Sequence, residues 1–265
     1  MTTPFSSIRL IGMVHLLPLP GSPGYGDSRH DILDRAIRDA VTLQDAGFDA
    51  VLIENYGDAP FSRYDAGKHV TADMTMITAA VQREIDLPIG VQVLRNDVDS
   101  GLAIAAATGA RFIRVNVHVG AMHTDQGIIE GHAFETLRYR RNIDAMHVNI
   151  LADVFVKHAS PLTPSPIQDA VRDTVERGLA DGIIVSGSGT GEAADLAEVR
   201  KATDVTAAPV YVGSGVRTET LAETLALAHG VIVGTAIKIG RITRAPVDAR
   251  GSSEFVEKAR RILNV

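Results

Sequence analysis

The chain has 265 residues, no cysteine and no tryptophan, 26 basic against 32 acidic side chains, and 45% hydrophobic residues. That apolar fraction at this length supports a substantial buried core and excludes disorder, while the lack of thiols excludes disulfides, thiolate nucleophiles and cysteine-ligated zinc or iron–sulfur sites. A net charge of −6 argues against general affinity for nucleic acid, which needs clustered cations to displace counterions.

The N-terminal stretch is apolar but is broken by His15, Pro18 and Pro20 and lacks a basic leader, so export is not expected. No apolar run approaches the ~20 residues that span a bilayer, and a cytoplasmic protein without membrane insertion is expected. From there one unit recurs: a short β-branched run, a polar or glycine-rich loop, then an alanine-rich helical stretch. Strands are predicted at 8–15, 49–55, 88–95, 111–118, 147–157, 181–187, 208–213 and 230–235. Helices are predicted at 31–46, 70–85, 98–108, 131–143, 165–179, 192–202, 217–228 and 252–263. The short basic run 138–141 falls in the fourth of these and reads as a solvated face. Helix-ending Gly or Asp residues precede several strands, as in DAGFDAV and ATGARFI. Eight such units without a linker predict a single-domain (β/α)8 TIM barrel over residues 1–265. A doubly wound open sheet would place a glycine fingerprint after its first strand and an acid about 20 residues on, and neither is present.

Successive strand residues point to opposite faces, and in a barrel one face looks inward. In RFIRVNVH the aliphatic series Ile113, Val115, Val117 suits packing under helices, which turns Arg114, Asn116 and His118 inward. In HVNILADVFVK the inward set is Asn149, Asp153 and Lys157. The same rule turns Gln92 and Asn96 inward, ends the second strand on Glu54 and the sixth on Ser186. Polar groups at the C-terminal ends of barrel strands form the floor of an active site. Only 5 of the 26 basic residues are lysine, and Lys157 and Lys238 both fall at strand ends. There a lysine offers an amine whose pKa can be lowered, which arginine cannot.

After the seventh strand comes Gly213-Ser214-Gly215, and after the eighth Gly234-Thr235. Barrel enzymes hold substrate phosphate between these two loops on backbone N–H groups, so a phosphate site is expected there. Ser186 opens a third glycine-rich loop, 186–191, read as a lid or further anion contact. The loop 121–131 carries His123, Asp125, Gln126 and Glu130 at the same face; Asp125 is taken as a substrate contact, and Glu130 equally as a helix N-terminal acid. Asp58 reads as a turn residue or a site residue. No HxH, HExxH or EF-hand spacing marks a metal motif, but strand ends can bring together His15, Glu54, Asp153 and His158 around a divalent metal. The plainer reading of His15 is a rim histidine bonded to Glu54.

The segments GMVHLLPLPGSP (12–23), IENYGDAPF (53–61), TDQGIIEG (124–131), DGIIVSGSGTG (181–191), VYVGSGV (210–216) and VIVGTAIKIG (231–240) closely resemble the BtpA/SgcQ family of predicted barrel proteins. The resemblance runs in order through almost the whole chain. It implies kinship both with a factor associated with photosystem I accumulation in cyanobacteria and with members linked to sugar metabolism. The segment VDARGSSEF (247–255) keeps Val247, Asp248 and Phe255 but departs from the family pattern VDxxRVxxF at its Arg-Val pair.

These readings together predict an enzyme for a small phosphorylated metabolite, in particular a sugar phosphate, working by acid/base chemistry next to a carbonyl as an isomerase, epimerase or aldolase. Glu54 and Asp153 are the candidate bases, and Lys157 and His118 the candidate acids or electrophiles. His15, Gln92, Arg114, Asn116, Asp125 and Ser186 are the candidate substrate contacts, and a homo-oligomer is expected. A carboxylate-pair hydrolase or glycosyl transferase using Glu54 and Asp153, and a non-catalytic assembly factor that binds a protein partner, are the alternatives.

Overall fold

The computed structural model describes residues 7–26, 28–187, 189 and 193–264. Its strands are β1 (Leu10–His15), β2 (Ala50–Glu54), β3 (Ile89–Gln92), β4 (Phe112–Val115), β5 (Ala121–Thr124), β6 (Gly127–Glu130), β7 (Asn149–Val154), β8 (Ala159–Pro161), β9 (Gly182–Val185), β10 (Val210–Val212) and β11 (Gly230–Val233). Eight of these run parallel in the order β1-β2-β3-β4-β7-β9-β10-β11, and the pairing of β11 with β1 closes a TIM barrel. The helices are α1 (Arg29–Asp45), α2 (Lys68–Glu84), α3 (Val98–Thr108), α4 (Ala133–Asn142), α5 (Ile167–Arg172), α6 (Leu196–Thr203), α7 (Leu221–Leu227) and α8 (Ala249–Leu263). Among the described residues no helix is long and apolar enough to cross a membrane.

Local chemistry sets the ends of these elements. Ser28 and Asp31 form a reciprocal capping box at the start of α1, and Asp97, Asp195 and Asp248 accept backbone N–H groups at the starts of α3, α6 and α8. Gly109 takes the left-handed conformation (φ 80°) that ends α3 ahead of β4. Predicted helix 165–179 is α5 followed by a π-helical turn, Asp173–Arg177. Predicted helix 217–228 is only Leu221–Leu227, so the glycine loop after β10 does not run straight into a helix. Ser188, Thr190 and Gly191 of the expected 186–191 lid lie outside the described residues.

The two strand faces separate as alternation requires. Val51, Ile53, Ile113, Val115, Ile150, Ala152, Ile183 and Val185 pack with the surrounding helices in one apolar layer. The inward set Ile11, Met13, Leu52, Phe112, Leu151, Ile184, Tyr211 and Ile232 fills the lower barrel. Glycines on neighbouring strands make room for the largest of them: a Cβ on Gly90 would lie 2.1 Å from the Phe112 ring, and one on Gly182 would lie 2.5 Å from Leu151. Asn149 lies on this inward face but at the opposite, N-terminal end of β7, bonded to the Arg111 carbonyl and away from the upper rim.

The region 121–131 is not a loop. β5, β6 and β8 form a small antiparallel sheet beside the barrel mouth, and Val117 packs beneath it with Met122, Ile129 and Val156 instead of under a barrel helix. The predicted strand 111–118 stops at Val115 because the next amides leave the ladder. Val117 donates its N–H to the Asn96 side-chain oxygen and accepts from the Asn96 amide nitrogen, both at 2.9 Å. Asn96, expected to face the interior, is thus a backbone clamp.

Candidate active site

Above the apolar plug, the barrel changes character within one residue layer. His15, Glu54 and Gln92 are cross-strand partners on β1, β2 and β3. Arg114 on β4, the strand next to β3, and Asp153 on β7, next to β4, continue this polar lining around the barrel. Two cavities open here. The first, of about 390 Å³, is lined by His15, Glu54, Tyr56, Arg114 and Lys157 together with Gly213–Thr218 and Gly234, Thr235, Ala236 and Arg241. The second, of about 360 Å³, is lined by Gln92, Arg95, Asn116, Asp125, His158 and Arg244 and shares Glu54, Tyr56 and Lys157 with the first. These two chambers therefore meet at Glu54 and Lys157.

Burial raises the Glu54 carboxyl above the usual carboxylate range, against the opposing pull of Lys157, Arg114 and Arg95. Burial likewise lowers the Lys157 ammonium, assisted by Arg114 and opposed by Glu54 and Asp153. Both groups are moved toward neutral pH, as acid/base work requires. His15 is held neutral by burial and by Lys238. Its Nδ1 lies 3.1 Å from the Thr243 carbonyl, which only accepts, so Nδ1 carries the proton and Nε2 presents a lone pair. Nε2 stands 3.8 Å from the Glu54 carboxyl.

Asp153 has a different task. Arg114 donates to both of its oxygens at 2.8 and 2.9 Å, Asn116 donates at 3.0 Å and the Ser186 hydroxyl at 3.0 Å. Arg114, Asn116 and Asp153 are buried and Ser186 half-buried, and the Arg114–Asp153 pair is bidentate, the strongest arrangement of a guanidinium and a carboxylate. With these four bonds in place Asp153 is a fixed anchor that aims Arg114, and Glu54 remains the less encumbered carboxylate. The Ser186 hydroxyl, expected on substrate, is spent on this anchor.

His118 does not join the site. Since the strand ends at Val115, its ring turns outward and Nε2 donates 2.8 Å to the Gly178 carbonyl at the end of the π-helical turn. His118→Ala is expected to lower stability by about 1–3 kcal/mol through the orphaned carbonyl, leaving affinity for phosphorylated ligands unchanged in a calorimetric titration. Lost affinity at an unchanged melting temperature would return His118 to the site. Lys238, also read as a strand-end lysine, is buried against α1 and paired with Asp39 at 3.1 Å.

Asp58 is a clamp as well, accepting from the Leu19 N–H and the Asn55 amide. Glu130 ends β6 and precedes α4, so it does not cap that helix. Of the basic run 138–141, Arg140 turns in to Asp181 at 3.0 Å. The donors imagined for a divalent metal are not gathered: Asp153 is saturated by Arg114, and the described residues contain no group of three or more His, Asp or Glu placed to hold one ion.

The BtpA family matches residues 7–261. The chain belongs to the BtpA family. It is 46% identical to the photosystem I biogenesis protein BtpA of Synechocystis over 94% of this chain and 86% of that protein. By structure it is similar to thiamine phosphate pyrophosphorylase of Pyrococcus furiosus, with a TM-score of 0.61 at 16% identity over 97% of this chain and 98% of the other. It is similar too to (S)-3-O-geranylgeranylglyceryl phosphate synthase of Thermoplasma acidophilum in complex with its substrate sn-glycerol-1-phosphate, with a TM-score of 0.61 at 16% identity over 96% and 94% of the two chains. The structural likeness establishes the barrel.

In this BtpA-family chain several cavity-lining residues escape the alternation rule. Tyr56, Arg95, Arg217, Arg241 and Arg244 all lie beyond the last strand residue, in loops whose direction strand periodicity does not set. For Arg95 and Arg217 the sequence signal is an arginine within a few residues of a strand's C-terminal end; Tyr56, Arg241 and Arg244 carry no such signal.

Proposed function

We propose that this protein is an enzyme that moves a proton next to the carbonyl of a small phosphorylated metabolite, a sugar phosphate being the best fit. One observation carries the reading: a single chamber is lined by both glycine loops, Gly213-Ser214-Gly215 and Gly234-Thr235, and by Glu54, Lys157 and Arg114. Glycine lets phosphate oxygens approach the backbone N–H groups, and Arg217 and Arg241 at the same wall supply charge. Two barrels of similar fold, a thiamine phosphate pyrophosphorylase and a synthase in complex with sn-glycerol-1-phosphate, support this reading.

With phosphate in that cradle, the rest of the substrate reaches Glu54 and Lys157. Glu54 takes the proton from the carbon beside the carbonyl, and the resulting negative charge on oxygen is met by Lys157 and by Arg114, whose guanidinium Asp153 holds in place. His15 Nε2 accepts a hydrogen bond from a substrate hydroxyl or relays a proton with Glu54. A lysine with lowered pKa can instead attack the carbonyl and lose water to form an imine, which would assist carbon–carbon cleavage. Borohydride decides between these roles. Incubated with the protein and a panel of phosphorylated ketoses and aldoses, it is expected to fix an adduct on Lys157 if an imine forms. Without an imine, Lys157→Met still slows proton exchange with deuterated water. Neither an adduct nor slower exchange would remove Lys157 from the chemistry.

The cyanobacterial relative's name supports a second reading, in which the barrel binds a protein partner during assembly of a larger complex. That reading gives no reason for a buried carboxylate and a half-buried lysine to face one cavity, and it predicts no phosphate-dependent ligand binding.

A further inference from the structure

The second chamber has a composition that a phosphate cradle in the first does not explain. Arg95 is 5% exposed, lines this chamber, and donates to the Lys157 carbonyl. Its Nε is buried without a hydrogen-bond partner, and among the described residues its guanidinium forms no ion pair. Asp125, Asp153 and Glu54 attract this guanidinium from beyond ion-pair distance, and a buried cation without a direct partner is costly, a cost that a ligand anion would offset.

The segment after β11 points the same way. Thr243 is fixed by its carbonyl to His15 and by its hydroxyl to Thr235 at 2.9 Å. On either side of that anchored residue Arg241 lines the first chamber and Arg244 the second. In total Arg95, Arg114, Lys157, Arg217, Arg241 and Arg244 line the two chambers, with Glu54 and Asp125 the carboxylates on their walls and Asp153 and Glu219 paired behind them with Arg114 and Arg241, in a chain whose net charge is −6. The positive charge is thus concentrated in this cleft and spread over both halves of it.

We infer that the second chamber, through Arg95 and Arg244, binds a second anionic group of the same substrate, so that the substrate carries an anion at each end. The inference rests on the phosphate site proposed for the first chamber and adds the substrate class: a sugar bisphosphate or a phosphorylated sugar acid, with the reacting carbon between the two anions, at Glu54 and Lys157. Gln92 and Asn116, on the wall of the same chamber, offer amides to hydroxyls next to that second group.

Calorimetric titration with sn-glycerol 1-phosphate, 3-phosphoglycerate and fructose 1,6-bisphosphate tests this on the intact chain. The wild type is expected to bind at least one of the two doubly anionic probes about tenfold or more tighter than glycerol 1-phosphate, since charge-assisted bonds to arginine are worth that much. Preference for the phosphoglycerate over the bisphosphate would identify the second anion as a carboxylate, and the reverse as a phosphate. Arg95→Met and Arg244→Gln should each remove the preference and leave glycerol 1-phosphate binding unchanged; Arg244 is exposed, so its variant remains informative if Arg95→Met does not fold. Arg217→Met should weaken all probes together. A wild type without the preference, or a preference that survives in Arg244→Gln and in a folded Arg95→Met, overturns the inference. If Arg217→Met weakens none of the probes, the first-chamber phosphate site fails instead.

Discussion

Glu54→Gln is expected to abolish proton exchange and, at the same time, to raise the melting temperature at neutral pH. The first effect follows from its place at the junction of the two chambers: removing a positioned base slows proton transfer by about 10²- to 10⁴-fold. The second follows from its raised pKa. In the unfolded chain the carboxyl titrates near its ordinary 4.5, and in the folded chain it titrates higher because burial disfavours the anion. The stability that Glu54 contributes as a neutral acid is complete below the unfolded value and is lost as pH rises through the folded one. At neutral pH the buried anion is a burden that glutamine lacks. Melting curves across the pH range should therefore converge for wild type and variant at low pH and separate above it, with the variant more stable. A variant that is less stable at neutral pH would mean that Glu54 is held by structure and is not poised for chemistry.

Asp153→Ala should do the reverse. Leaving Arg114 buried without its bidentate partner costs about 3–5 kcal/mol, a fall in melting temperature of roughly 6–20 °C for a chain of this size. Arg114→Met combined with Asp153→Leu should recover much of that loss, because the penalty lies in the orphaned charge and not in the missing bridge. Recovery without activity would establish the pair as an anchor for substrate. If Asp153→Ala instead melts with the wild type and loses only activity, Asp153 is a working acid or base, and the carboxylate-pair chemistry with Glu54 regains its second member.

This contrast between two inward carboxylates marks the limit of what periodicity could reveal. Alternation placed Glu54, Gln92, Arg114 and Asp153 on the inner face, because a strand inside a closed barrel leaves each side chain only two directions. It did not distinguish Glu54 from Asp153, since that depends on neighbours brought from β4 and from the start of the next glycine loop. For His118 it pointed the wrong way, because the Asn96 amide takes the Val117 backbone out of the ladder and ends the alternation at Val115. The small sheet at the barrel mouth was invisible for a related reason. β5, β6 and β8 are only 4, 4 and 3 residues long, and β8 is joined to β5 across a long interval of sequence. The two glycine loops were readable because their position after the last strands of a barrel makes them neighbours whatever their detailed path.

Phosphate binding between those two loops is central to the proposed chemistry, and thermal shift reads it directly. Each compound of a panel of phosphorylated sugars and sugar acids is compared with its dephosphorylated counterpart, on the wild type and on Gly215→Val. Gly215 has φ 65°, so the unliganded melting temperature of the variant is its own baseline. A phosphorylated ligand at about 100 times its Kd should add about 2.7 kcal/mol of stability to the wild type. This shift is expected for at least one phosphorylated compound, is expected to be absent for its dephosphorylated counterpart, and is expected to disappear in Gly215→Val. Equal shifts from the phosphorylated and dephosphorylated forms, or an undiminished shift in the variant, would contradict phosphate binding there.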